Sequence, residues 1–138
     1  MSQEAAIKAV LRDFACAYER RNLAAMRELF VHDDACIFYG TQANLHFVGW
    51  PAVEGSLVKQ FAVLERVSLT YRETHIRIFA GESAACVATF VDYDATISGA
   101  PVIASGIRVT CSLDRGAAGW RIAQMHWSIA RGEVIVDH

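Results

Sequence analysis

The 138-residue sequence lacks the usual marks of a metal, redox or nucleic-acid protein. Its four cysteines, Cys16, Cys36, Cys86 and Cys111, are far apart and form no Cys-x-x-Cys pair. That spacing argues against a disulfide framework or a zinc site and points to buried, reduced thiols in a cytoplasmic protein. His32, His46 and His138 lack the spacing of a ligand set, so no metal is expected. Net charge is only −2 and no segment is strongly basic, which removes the electrostatic case for nucleic acid or an anionic membrane. No stretch reaches the roughly 20 apolar residues that span a bilayer, and Glu4, Lys8 and Arg12 interrupt the start where a signal peptide would be apolar. Repeats, linkers and low-complexity segments are also missing, leaving one domain over 1–138 with a short tail at 132–138.

What is present is apolar and patterned. Hydrophobic residues make up 54% of the chain, a little above the usual ~45–50%, and part of that excess would suit a subunit interface. Ile7, Val10, Leu11, Phe14 and Tyr18 recur at helical spacing, predicting a helix over 3–20 with Ser2 as its N-cap. Asn22 caps a shorter helix that buries Leu23, Met26, Leu29 and Phe30. Ala35 to Tyr39 reads as a short strand. Pro51 sits where a third helix would start, with Val53, Leu57, Phe61 and Leu64 as its inner stripe. Long β-branched and aromatic runs follow from Ser68, broken by turn chemistry at Gly81-Glu82, at Ser98-Gly99-Ala100-Pro101 and between Asp114 and Gly119. Three helices followed by long antiparallel strands give an α+β layout, with the helices on the concave face of a curved sheet.

This order of elements resembles the SnoaL-like members of the nuclear transport factor 2-like, or cone-fold, superfamily. The residues that carry the resemblance are Phe30-Val31-His32-Asp33-Asp34, Val48-Gly49-Trp50, Gly81-Glu82-Ser83-Ala84, Arg108-Val109-Thr110, Trp120-Arg121-Ile122 and His126-Trp127-Ser128. The last two strands are most similar to the association domain of calcium/calmodulin-dependent kinases. The resemblance implies a cone with a ligand cavity, in a superfamily that hosts isomerases, cyclases, dehydratases, binding modules and assembly domains.

Facing can be argued from the turns. If Ser98 opposes Pro101, then Tyr93 opposes Gly106 and Val91 opposes Arg108, and directly opposed residues share a sheet face. On that register Arg108, Val91, Tyr93, Val87 and Ala95 face the helices. The Gly81-Glu82 turn adds Ile76, Ile78, Thr74 and Arg72. Phe90, Asp92, Asp94, Ile107, Val109 and Cys111 face outward, and that apolar outer set suggests a homodimer. A bulge would invert the facing beyond it. Trp127 is expected inward, with His126 and His75 outward as structural residues. Tyr18 is expected against the sheet with its hydroxyl on backbone. Tyr39 and Trp50 stand near the expected cavity mouth, as ligand contacts or as ordinary packing.

An arginine on a helix-covered face needs an acceptor. Arg108 would pair with Glu54, reach the rim, or hold a ligand. The resemblance favours the ligand: the kinase association domain has a cavity arginine at the position of Arg108, and two more at the positions of Val91 and Trp127. One arginine among apolar walls, with Arg72 one row away, implies a mostly apolar ligand with a carboxylate or carbonyl end. The resemblance also tests ketosteroid isomerisation, whose tyrosine falls on Phe14, whose base falls on Phe38 or Tyr39, and whose acid falls near Arg108 or Val109. None of the three roles is filled, and Asp92 and Asp94 point away. The expectation is therefore a homodimeric small-molecule binder without catalytic residues or cofactor, contacting its ligand through Arg108, Trp127, Tyr93, Val91, Tyr39, Trp50 and Arg72. The alternatives are an enzyme of the polyketide cyclase, dehydratase or isomerase type, in which Tyr39 or Tyr93 together with Arg108 polarises a carbonyl, and a homo-oligomeric assembly module.

Overall fold

Ser2 starts the first helix as its spacing predicts: the Ser2 Oγ accepts from the Ala5 amide at 3.1 Å, and α1 runs Gln3–Glu19. This computed structural model describes residues 2–131, so the tail expected at 132–138, with His138, lies outside the described residues. Asn22 caps α2 (Leu23–Arg27) by accepting from Ala25 N at 3.0 Å. After β1 (Ile37–Tyr39) and β2 (His46–Val48), α3 spans Trp50–Val63 with Pro51 in its first turn. Four long strands follow: β3 (Leu64–Ile78), β4 (Ala84–Ile97), β5 (Ala100–Gly116) and β6 (Gly119–Ser128).

The strands form one open sheet in the order β2-β1-β6-β5-β4-β3. It is mixed: β1 runs parallel to β6, and every other pairing is antiparallel. The helices cover its concave side, giving the α+β arrangement expected. β2 is absent from the sequence reading because His-Phe-Val is too short to show a period. Leu64 leaves the helical stripe and begins β3, so α3 passes into a strand without a loop.

Four one-residue insertions set which side chains face the helices, the first at Glu65, between the Leu64–Ile97 and Arg66–Thr96 pairs. Opposite Thr89, β3 carries both Glu73 and Thr74, with Glu73 at a φ of 54°. Opposite Asp92, β5 carries both Ser105 and Gly106. Opposite Ser112, β6 carries both Ala123 and Gln124. Each shifts the register by one residue and inverts facing beyond it.

The β5 insertion overturns the expected register. The hairpin itself turns on Ser98-Gly99, both at positive φ, and pairs Ile97 with Ala100. That is two residues from the expectation, a shift that preserves facing. The bulge then takes one residue back, leaving a net shift of one, so Phe90 opposes Arg108 and Val91 opposes Ile107. Arg108 lies on the outer face and is exposed, while Ile107, Val109 and Cys111 are buried under the helices. Of the apolar set expected outside, only Phe90 is there. Arg72 is likewise moved outward by the β3 bulge, whereas Thr74, Ile76 and Ile78 keep the inner side.

A local cause is visible at the bulge in β5. Asp92 accepts from the Gly106 amide at 2.9 Å, from Ser105 Oγ at 3.1 Å and from Arg72 Nε at 3.0 Å. The carboxylate thus takes the amide that the ladder leaves unpaired. Gly106 holds a φ of +68°, and a Cβ there would come within 3.2 Å of the Arg72 guanidinium. The Gly106 N–H, and after it Arg72, hold the Asp92 carboxyl below its ordinary range.

Phe14, Phe30, Ile7, Met26, Leu57, Ile122 and Met125 fill the closed end of the cone. Cys36 and Cys111 are buried there, and burial pushes their thiols up to about 11 and about 12. Cys16 is exposed on α1 and Cys86 is half-buried on the outer sheet face, which corrects the expectation of four buried thiols. No helix among the described residues is long and apolar enough to cross a membrane.

Candidate functional site

The sheet outruns the helices at one end and leaves a cavity of about 380 Å³. Tyr18 and Gln60 form its floor, from the last turns of α1 and α3. The sheet wall is Tyr93 and Ile97 of β4, Val102, Ala104 and Ile107 of β5, Trp127 of β6 and Phe38 of β1. The β1–β2 loop, with Leu45, and Ile129 just past β6 complete the rim. No lining residue carries a charge. Volume and composition fit a small-molecule site, which is typically ~300–1,000 Å³ and mostly apolar.

The polar groups at its floor form one line. Tyr18 donates its hydroxyl to Gln60 Oε1 at 3.0 Å, and Gln60 Nε2 donates to Ser56 Oγ at 2.9 Å. Tyr18 and Tyr93 oxygens lie 3.3 Å apart. The Tyr18 hydroxyl therefore meets side chains rather than the backbone partner expected. Burial pushes the Tyr18 phenol well above its usual range, and the adjacent Tyr93 adds to the shift. Burial raises Tyr93 as well, against a weaker opposing effect of its bond to Tyr18. Both phenols are thus neutral at physiological pH and poor bases.

Trp127 is buried, with 7% of its surface exposed, and its indole tilts against Phe14 at 6.1 Å and stacks on Tyr18 at 6.5 Å. Its Nε1 is the one buried side-chain nitrogen or oxygen among the described residues without a hydrogen-bond partner. A buried N–H left unpaired costs about 1–3 kcal/mol.

The residues singled out from sequence divide into two groups. Trp127 and Tyr93 meet at the cavity. Val91 is fully buried beneath it and forms no wall. Arg108 is on the far side of the sheet, between Phe90 and Ser128, and Glu54 instead pairs with Arg27 at 2.5 Å. Arg72 is also outside, bonded to Asp92 and lying over the Phe90 ring at 5.1 Å. Tyr39 is 42% exposed and packs edge-on to His126 and His46 on the outer face. Trp50 stacks on His32 at 4.2 Å, away from the cavity. His126 and His75 are exposed on the outer face, as the register argument expected. Among the described residues no cluster of three His, Cys, Asp or Glu is arranged to hold a metal.

Gln60, Leu45, Ile97, Val102 and Ala104 are among the cavity residues that the sequence did not assign to the site. Gln60 did carry a signal: with Ser56 it is polar on a helix face that otherwise buries Val53 and Leu57.

Comparison with known structures supports the same architecture. A nuclear transport factor 2-like superfamily protein from Salmonella enterica serovar Typhimurium superposes with a TM-score of 0.85 at 15% identity, covering 99% of this chain and 97% of its own. A Novosphingobium aromaticivorans protein provisionally named a scytalone dehydratase gives 0.79 at 15% identity, covering 93% and 84%. A Thiobacillus denitrificans protein provisionally named a calcium/calmodulin-dependent protein kinase type II association domain gives 0.73 at 25% identity, covering 90% and 94%. No curated protein matches the sequence. The SnoaL-like domain family matches over residues 7–132, nearly the whole cone and every wall of the cavity. With its helices on one side of an open, curved sheet shared with the nuclear transport factor 2-like superfamily protein, and that match along its length, the chain belongs to the SnoaL-like domain family.

Proposed function

We propose that this protein binds a small, neutral, mostly apolar organic molecule in the cavity between Tyr18, Gln60, Tyr93 and Trp127. The observation that carries the reading is a cavity wall without a charged side chain. A carboxylate would have to shed water there without a cation in reach, which disfavours the acidic ligand inferred from Arg108. No carboxylate or histidine lines the cavity, so it offers no ordinary general base. The Novosphingobium protein named a dehydratase is the support for an enzymatic alternative, and the neutral phenols of Tyr18 and Tyr93 would then polarise a carbonyl rather than abstract a proton.

The reading includes a cytoplasmic homodimer formed through the outer sheet face, where Ile103 is 74% exposed and Ala88, Thr110 and Ser112 present a row of small side chains around Phe90. Native mass spectrometry at low concentration tests this, and a persistent monomer removes it.

Calorimetric titration with naphthalene and 2-naphthoate tests the ligand. Naphthalene is expected to bind and naphthoate not to. Ala104→Trp, filling the cavity, abolishes binding, while Arg108→Leu leaves it unchanged. Naphthoate binding that disappears in Arg108→Leu would overturn the reading.

A further inference from the structure

The glycine at position 40 leaves a space on the cavity wall that Leu45 fills. Phe38 faces the cavity, so by the strand's period of two Gly40 faces it as well. The Gly40 amide donates to Leu45 O at 2.7 Å, which extends the Tyr39–His46 pairing by one step. Leu45 therefore stands opposite Gly40 on the same inner face. Opposed residues normally keep their Cβ atoms about 4.5–5.5 Å apart. A Cβ on Gly40 would instead stand 2.9 Å from Leu45 Cβ and 3.0 Å from its Cδ1. The leucine thus lies over the point where a side chain at 40 would start. Gly40 is outside the left-handed region, so glycine serves space there and not conformation. Leu45 also differs from its neighbours at the rim: Val63, Val102 and Ile129 are exposed, whereas Leu45 is half-buried. Its backbone is tied on both sides, since its amide donates to Gln42 O at 3.0 Å and its carbonyl takes the Gly40 amide. A side chain anchored in that way gives the cavity a fixed wall.

Resting on the cavity reading above, we propose that Leu45 sets the length of ligand that the cavity accepts, and that Gly40 is its seat. A compact apolar ring system fits between the floor at Tyr18 and this wall. A ligand with an aliphatic extension gains from each carbon until the chain meets Leu45. Beyond that point a further carbon stays in water or has to displace the turn, and adds nothing.

The test is calorimetric titration of the full chain at pH 7 with naphthalene and its 2-alkyl derivatives from methyl to hexyl. Each affinity is read relative to naphthalene in the same protein. One methylene moved from water to an apolar wall raises affinity roughly fourfold. In the parent, affinity should climb by about that factor per carbon and stop at one chain length. Leu45→Ala, which leaves only a methyl group, should move the stop to chains about two or three carbons longer. Leu45→Phe should move it to shorter chains, and it decides the matter if the smaller side chain lets the turn collapse. Val48→Ala trims an exposed side chain on the outer face of the same hairpin and should leave the stop in place. Gly40→Ala should lower the thermal midpoint in the parent, and much less in Leu45→Gly, which removes the atoms nearest the new Cβ. The length inference falls, and the cavity reading stands, if naphthalene binds but the parent shows no stop. It falls equally if neither Leu45 variant moves the stop, if Val48→Ala moves it as far, or if Gly40→Ala costs the same in both backgrounds. If neither naphthalene nor any derivative binds the parent, both fall.

Discussion

Removing the Tyr18 hydroxyl should destabilise the fold by an amount that can be worked from its two contacts. The side chain is 7% exposed, and its oxygen gives a hydrogen bond to Gln60 at 3.0 Å and takes a longer one from Tyr93 at 3.3 Å. A neutral hydrogen bond contributes a net ~0.5–1.5 kcal/mol, toward the low end when the contact is long. Gln60 is half-buried and Tyr93 borders the cavity, so both orphaned partners recover some water. The ring remains in Tyr18→Phe, keeping its edge contact with Phe61 at 5.5 Å and its stack on Phe14 at 6.0 Å. The sum is about 1–2 kcal/mol, which for a domain of this size lowers Tm by roughly 3–10 °C. Urea and thermal unfolding at pH 7 measure it. A double-mutant cycle with Gln60→Leu separates the shared bond from the rest. If Tyr18→Phe unfolds at the parent's midpoint, or the two substitutions add without coupling, the polar line at the cavity floor is not a structural element.

Alkaline stability should reveal the same burial on a second axis. Tyr18 and Tyr71 are both held above the usual tyrosine range, chiefly by desolvation. In the unfolded chain they ionise near pH ~10. Because their folded values are raised, their contribution is intact below that pH and is lost as pH rises further, at up to ~1.4 kcal/mol per pH unit for each. Urea midpoints at pH 9, 10 and 11 should therefore fall progressively, and less steeply in Tyr71→Phe; a flat profile contradicts the burial of these phenols. Asp92 behaves in the opposite sense. Its folded value is depressed, so its hold on the bulge is present above the ordinary carboxylate value of ~3.9 and fades as pH drops through the folded value. Asp92→Ala should speed amide hydrogen exchange at Gly106 far more than in the β3–β4 ladder, and unchanged protection there would dismiss the carboxylate as the cause of the bulge.

Capping and turn chemistry were legible without the structure because they depend on near neighbours. Ser2, Asn22 and Pro51 mark their helices within a few residues of the atoms they serve, and Gly81-Glu82 turns where expected. The cavity was legible in part. Trp127 and Tyr93 reach it, and Arg108, Arg72, Tyr39 and Trp50 do not. β6 shows how the pattern misled and helped at once. Met125 and Trp127 face inward as one alternating set, while Trp120 and Ile122, from the other set, face inward too because the extra residue at Ala123 lies between the two pairs. Neither alternation alone describes the strand.

Local composition by itself determined the helices, the turns and the succession of long strands, and hence the α+β cone. Only the tertiary structure decided which way an arginine points. Side chains on a strand alternate with a period of two, so a single inserted residue reverses all that follows. Whether that residue is inserted depends on Asp92 and Arg72 meeting Gly106 from two other strands, a contact that alternation within β5 does not encode.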